Sequence, residues 1–486
     1  MYLHPKTWSL IITATVLFCT TLFSVVFGFV ETYSFFVGFM IGVFLLVHRR
    51  CLLGAFLVWT FCGEYIKTTI SMPYMNYYDE LLKSMIIVVM IADTAIRHPS
   101  KKNIQTVIRH YMALLFIVAV SAVINHTSAI RVIHFFYSYL FYGILFIYVC
   151  DLREGFCLET IYKWIYAYVV FQFLLNLGWL WGINPLPNRM RGTVDFSIGL
   201  VASCNGVAYM TLFFLGLSWI SALYYKGKMR LVFVCLFIVT LAQLAMTLTF
   251  HAYPLALFIL IVSYVLLKGT QGKNDRRKNF SSLLIVLVGV AILVISYLFV
   301  QQRVFAFSST MISRRVDEML YGPKIQVAKA ILRYLTGAVS TFAFGAGPGN
   351  FASSIGVIYG APLARQYVWI YYTSMTGYAE LISGSITQIP TTGIGAMISE
   401  LGILGAGAFF IFFLTPLFRV VRLLFAKAYT GGQLCFAVVY VPFVLAILIL
   451  NFLSDFFRQD YLMAIIWALG AYIWLPLRQE NADKLE

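Results

Sequence analysis

The sequence predicts an all-α polytopic membrane protein, on three observations. Hydrophobic residues make up 61% of the 486-residue chain and charged residues only 11%. Several windows of about 18 residues or more carry almost no charge, which is long enough to cross a bilayer as a helix. Lipid offers no partner to backbone N–H and C=O groups, so such stretches must be helical. Finally, Lys and Arg gather in compact clusters between alternate windows. One membrane domain filling 1–486 is expected, with no soluble domain beside it.

Taken in order, the apolar windows give about fourteen helices, near 8–27, 30–47, 51–68, 80–96, 110–124, 132–150, 158–181, 198–224, 231–248, 252–267, 281–300, 396–418, 431–450 and 460–476. The first run follows a single Lys6 and is followed by no clear small-residue cleavage site, so it reads as a retained helix. An inside N-terminus puts HRR (48–50), RHPSKK (97–102), KGKMR (226–230), KNDRRK (273–278) and RVVRLLFAK (419–427) on one side of the membrane. By the positive-inside rule that side is the cytoplasm, and both termini lie there. Of the 35 Lys and Arg, 22 fall on this side and 13 on the other.

The 13 exceptions are unevenly placed. Seven of them, Arg303, Arg314, Arg315, Lys324, Lys329, Arg333 and Arg365, lie in a long outward segment over 301–395. Arg189 and Arg191 lie in the loop after the seventh helix. Only Asp317, Glu318 and Glu380 accompany the seven. A bound polyanion would compensate such an excess, and so would plain solvation of the loop. The net charge of +16, in so apolar a chain, points to cytoplasmic anchoring and anionic lipid and not to nucleic acid. The eight cysteines sit in or beside apolar windows, with no CxxC or Cys/His spacing, so neither a zinc site nor a disulfide framework is indicated.

Within the long segment, Ile325, Ala328, Leu332 and Leu335 recur at three- and four-residue steps, which predicts an amphipathic helix from Pro323 to about Ser340. Pro323 suits the first helical position. Lys329 and Arg333 project together at i, i+4 spacing, toward a lipid phosphate or a cavity. FAFGAGPGNF (342–351) follows. No strand precedes it and no Lys-Ser/Thr follows, so it is not a P-loop; it is a tight turn or an amide-lined phosphate contact. The aromatic row Tyr367, Trp369, Tyr371 and Tyr372 offers flat faces for sugar rings or an interfacial belt.

Three stretches resemble, in order, motifs of the O-antigen polymerase and ligase superfamily, membrane glycosyltransferases that use polyprenyl-pyrophosphate sugars. NRMRGTVDFSIGLVASCNGVAYM (188–210) is similar to its Arg-x-x-Gly segment entering a helix. FGAGPGNF (344–351) is similar to its Gly-x-Gly-x-Gly/Asn-Phe turn, and SELGILGAGAFF (399–410) to its Glu-Leu-Gly helix entry. The resemblance covers roughly residues 180–480. It implies a GT-C type helical fold in a bacterial inner membrane. It further implies an inverting, metal-independent reaction without cofactor, in which a glycan leaves undecaprenyl pyrophosphate for a hydroxyl of a second lipid-linked repeat. Ligases of the superfamily carry a His-Asn pair before the Glu-Leu-Gly; PTTGIGAMISE (390–400) lacks it, which favours a polymerase. TLTFHAYP (247–254) lacks the arginine of a middle-helix motif, and His251 stands near its place.

A pyrophosphate leaving group needs charge stabilisation more than a general acid, and guanidinium forks bind its oxygens bidentately. Arg191 is the expected catalytic cation, with Asp195 or Glu380 as base for the acceptor hydroxyl. Arg189, Arg314, Arg315, Lys329, Arg333 and Arg365 are the expected pyrophosphate ligands, and Tyr367, Trp369 and Tyr372 the glycan platform. The expected partners are an undecaprenyl-pyrophosphate-linked oligosaccharide, membrane lipid and a chain-length regulator, with no nucleic acid and no metal. An O-antigen ligase is the nearest alternative. A transporter would show two similar halves, and no internal repeat is visible.

Overall fold

In a computed structural model, the described residues are 102–152, 158–180, 204–247, 249, 252–271, 322–369 and 391–474, with scattered helical positions between Leu53 and Ile91. The helices expected near 8–27, 30–47 and 281–300 lie outside them, as do Arg189, Arg191, Asp195, Arg314, Arg315, Tyr372 and Glu380. The chain divides into two units. The first is Met1–Ser100 with Pro185–Arg189 and Leu200–Ala202, and its described residues are all helical. The second holds everything that follows.

Every regular element among the described residues of the second unit is a helix. In chain order these are α1 (Lys102–Ile124), α2 (Ala129–Phe135), a π turn (Phe136–Leu140), α3 (Tyr142–Leu152), α4 (Leu158–Leu180), α5 (Cys204–Tyr224), α6 (Gly227–Met246) and α7 (Ala252–Gln271). Then come α8 (Pro323–Leu335), α9 (Val339–Phe344), α10 (Ser354–Ile358), α11 (Pro362–Ala364), a second π turn (Arg365–Trp369), α12 (Gly393–Phe425), α13 (Gly431–Leu450) and α14 (Asp460–Ile473). Six of them, α1, α5, α6, α7, α12 and α13, are long and apolar enough to cross a membrane; α2 and α3, bent by 48°, add a seventh if they cross as one. This is the make-up of a helical membrane protein.

Apolarity sorts the spans into inner and outer positions. In α5 and α13, 89% and 83% of the apolar window is buried, and the two helices pack on each other. Only 28% of the α1 window is buried, so most of its apolar surface faces outward, as a lipid-facing helix must. Small residues let backbones approach: a Cβ at Gly216 of α5 would stand 2.8 Å from Ile259 of α7 and 2.9 Å from Val439 of α13.

Three elements depart from the expected pattern. The single helix expected over 132–150 is broken into α2, a π turn and α3. The expected 396–418 helix extends from Gly393 to Phe425, because Arg419 stays helical by donating to the Trp474 carbonyl at 2.9 Å while its guanidinium stacks over the Trp474 ring. The amphipathic helix starts at Pro323 as expected but ends at Leu335, before Thr336 and Gly337. Its buried stripe is Val327, Ile331 and Leu335, whereas Ala328 and Leu332 are exposed. The helix is apolar over a wide arc, and packing selects one edge of that arc.

Residues 322–369 fold into a cap with its own small core of Val327, Ile331, Leu335, Phe351, Val357 and Val368, against which Ile398 of α12 packs. The cap rests on the start of α12 and the end of α1.

Candidate functional site

The glycine-rich turn and the Glu-Leu-Gly stretch interlock. Gly345, Gly347 and Gly349 all have positive φ (68°, 91° and 73°), which curls the turn so that successive amides face inward. Thr392 caps the start of α12 by accepting from Gly395 N–H at 3.0 Å. At Gly402 the helix is broken (φ 64°, ψ −171°), and there its backbone lies against the turn. Ala346 N–H donates to the Ser399 carbonyl and Gly347 N–H to the Glu400 carbonyl, both at 2.9 Å. The Glu400 carboxylate, fully buried, accepts from the amides of Gly349 (2.5 Å), Ser353 (2.8 Å) and Phe351 (3.2 Å). These three turn amides are therefore spent on a protein carboxylate and are not free for a phosphate.

Asn350 carries this rigidity to α2. Its Nδ2 donates to Thr127 Oγ1 and to the Ala346 carbonyl, both at 2.8 Å, and its Oδ1 accepts from the Arg131 guanidinium. Arg131 Nε also donates to Ser128 Oγ at 3.0 Å, so the guanidinium is held at one angle.

A second buried carboxylate lies in the turn between α13 and α14. Asn451 shapes that turn: its Oδ1 accepts from Phe456 and Phe457 N–H at 3.0 Å each, and its backbone carbonyl accepts from Ile394 N–H. The turn also fastens to the cap, where Lys324 Nζ donates to the Leu453 carbonyl. Burial pushes the Lys324 ammonium below its ordinary range. Asp455, only 2% exposed, accepts from the hydroxyl of Tyr139, which the π turn brings inward. Asp455 Oδ1 has no hydrogen-bond partner among the described residues. Burial pushes the Asp455 carboxyl up to about 6, against the Tyr139 hydrogen bond, the Arg458 charge and the Arg458 N–H, which pull it down.

A basic rim begins beside this pair. The charge of Arg458 acts on both Asp455 and His134. His134 Nδ1 lies 3.3 Å from the Tyr359 hydroxyl, with the two rings edge to face. The Arg365 guanidinium lies against Gly360, the residue after Tyr359. Arg131, Arg365 and Arg458 are not in an ion pair among the described residues, and each is at least partly exposed. The rim thus runs from Arg458, which acts on the buried acid, through His134 and Tyr359 to Arg365, and Arg131 lies one turn before His134 on α2. Such a rim attracts an anion and can bind it bidentately. No group of three His, Cys, Asp or Glu side chains spaced to hold a metal occurs among the described residues.

Of the residues expected from sequence, Arg365 belongs to this rim. Lys329 and Arg333 lie on the exposed face of α8, opposite the cap core. Tyr367 and Trp369 turn inward: the Tyr367 ring packs 5.6 Å from that of Phe351, and Trp369 Nε1 donates to the Val357 carbonyl at 3.2 Å. Arg131, His134, Asn451 and Arg458 carry the site and were not among the expected ligands. For Arg131, Asn451 and Arg458 a signal was available, since NHTSAIR (125–131) and NFLSDFFRQD (451–460) are the polar interruptions between apolar windows that face the same side as 301–395, whereas His134 lies inside the window expected over 132–150. Tyr139, one aromatic among many in an apolar run, gave none. No family model matches the chain, nor does any curated protein.

Proposed function

We propose that the chain is a polysaccharide polymerase of the bacterial inner membrane. It would transfer a glycan from undecaprenyl pyrophosphate to a lipid-linked repeat unit on the outer side, with both termini in the cytoplasm. The observation that carries this reading is the basic rim of Arg131, His134, Arg365 and Arg458, in which no arginine forms an ion pair among the described residues. A pyrophosphate is a polyanion at the start of the reaction and a better-defined one at its end. Each cation about 4 Å from it supplies roughly 4 kcal/mol at an effective dielectric near 20, before desolvation. Arg131 is preset by Asn350 and Ser128, so its guanidinium need not reorganise as charge develops on the leaving group. Asp455 holds the Tyr139 hydroxyl, feels the charge of Arg458 and is itself too enclosed to touch a sugar. Arg191 remains the expected catalytic cation, and Asp195 and Glu380 the expected bases. The meeting of the glycine turn with the Glu-Leu-Gly stretch also supports the reading, since these two motifs carry much of the resemblance to the superfamily.

The test is complementation of a strain that lacks the chain's own gene. Arg131→Ala and Arg458→Ala are expected to abolish long polymer while protein level in the membrane stays normal, and single repeat units should accumulate on the outer side. Full-length polymer from both variants would remove the rim from the mechanism. Accumulation of repeat units on the cytoplasmic side would instead identify a transporter.

A further inference from the structure

The exposed edge of the cap has a composition that water alone does not explain. On α8, Lys329, Leu332 and Arg333 are exposed together, with Leu332 at 62%. Just beyond it Val339 is 86% exposed and Phe342 is 51% exposed on α9. A small helical cap with its own core has no packing reason to leave these three apolar side chains outside.

Their neighbours supply the reason. The Phe344 carbonyl at the end of α9 accepts from Ser121 Oγ of α1 at 2.6 Å, and Ala343 lies against Gly402 of α12. At those levels the outward-facing residues of the two spans are Val123 and Ile124 on α1, and Ile403 and Leu404 on α12, all exposed and apolar. The apolar strip of α9 therefore continues the outer flank of two membrane-crossing helices. Lys329 and Arg333, with no ion-pair partner among the described residues, lie on the neighbouring helix. Apolar side chains beside unpaired cations are the arrangement of a helix that rests in a bilayer interface, with its cations among lipid phosphates.

We infer that the α8–α9 edge of the cap is a membrane-docking surface. Leu332, Val339 and Phe342 enter the acyl boundary of the leaflet, and Lys329 and Arg333 bind anionic phospholipid headgroups. Nothing in this inference depends on the catalytic reading. The two cations anchor the cap and are not ligands of the reacting pyrophosphate.

The experiment places the photo-reactive residue p-benzoylphenylalanine at 332, 339 or 342, one at a time, in the full-length chain. The protein is reconstituted in nanodiscs of phosphatidylglycerol or of phosphatidylcholine, and adducts are read by mass spectrometry. Phospholipid adducts are expected at all three positions. Their yield should be several-fold higher in phosphatidylglycerol, and that excess should vanish in the Lys329→Glu/Arg333→Glu double variant. Adducts to a second copy of the chain, or no adduct above that of a control at the exposed Gln366 of the second π turn, would overturn the inference. Equal yields in the two lipids would overturn the role given to the cations.

Discussion

Two glycines on one helix should respond in opposite ways to the same methyl group. At Gly402 the backbone has φ 64° and ψ −171°, and an added Cβ would stand 2.4 Å from the Ala343 carbonyl oxygen and 2.5 Å from Gly345 N. That backbone region is nearly closed to other residues, and holding alanine there costs on the order of 1–3 kcal/mol. The clash adds to this, because both neighbours are backbone and cannot swing aside without parting the turn from α12. Gly402→Ala is therefore expected to destabilise by about 3 kcal/mol or more. Five residues on, Gly407 is helical, and an added Cβ there would find nothing within 4 Å. Gly407→Ala should be neutral or stabilising by up to about 1 kcal/mol, the ordinary helical preference of alanine over glycine. Thermal unfolding of the two purified variants in detergent, side by side with the wild type, measures the difference. If both unfold at the same midpoint, the broken helix and its contact with the turn are not as described.

Other outcomes follow from the same geometry. The Asp455 carboxyl, pushed up to about 6 from an ordinary 3.8, holds its proton more tightly in the folded state, so its contribution to stability falls as pH rises from about 4 to 6. Asp455→Asn should flatten that part of the stability profile, and a difference between wild type and variant that is constant over the window would contradict it. Asn350→Ala removes contacts to Thr127, Ala346 and Arg131 and is expected to cost roughly 1–3 kcal/mol, measured by unfolding. Arg191→Lys and Arg191→Ala should both abolish polymer at normal protein level. Near-normal polymer from the lysine variant would make Arg191 an interfacial anchor. A cysteine placed at Ser309 should react with an impermeant reagent from outside intact cells, and reaction only after permeabilisation would reverse the assigned orientation.

Helix existence was legible wherever apolarity alone decides it. The α13 helix occupies the very span expected, because a segment apolar on all sides can only be buried or in lipid. Helix ends were less legible, since hydropathy stops at the first charge while a helix need not. Arg419 and Arg422 continue α12, and Lys102 begins α1. Choosing a face was harder still. In α8, 325/328/332 and 327/331/335 are both apolar series, and only the cap's tertiary packing favours the second. The site was half legible. The glycine turn and the Glu-Leu-Gly stretch stood out by composition, but that one would clasp the carboxylate of the other is a pairing across 51 residues that no local pattern encodes. The rim was hidden for a related reason, because its members come from three separate segments and each alone resembles an ordinary interfacial charge.

The clasp on Glu400 also bears on how such a chain enters a membrane. An ionisable carboxylate near the head of an otherwise apolar helix is a burden during insertion. Here the groups that relieve it, the amides of Gly349, Phe351 and Ser353, are synthesised first. The cap must therefore leave the ribosome with its turn unfilled and wait for its counterpart to follow. When α12 arrives, its carboxylate fills the turn, and the backbone bonds of Ala346 and Gly347 to Ser399 and Glu400 close beside it. A chain whose cap failed to form would therefore carry, near the head of an apolar helix, an acid with none of these three amides to relieve it.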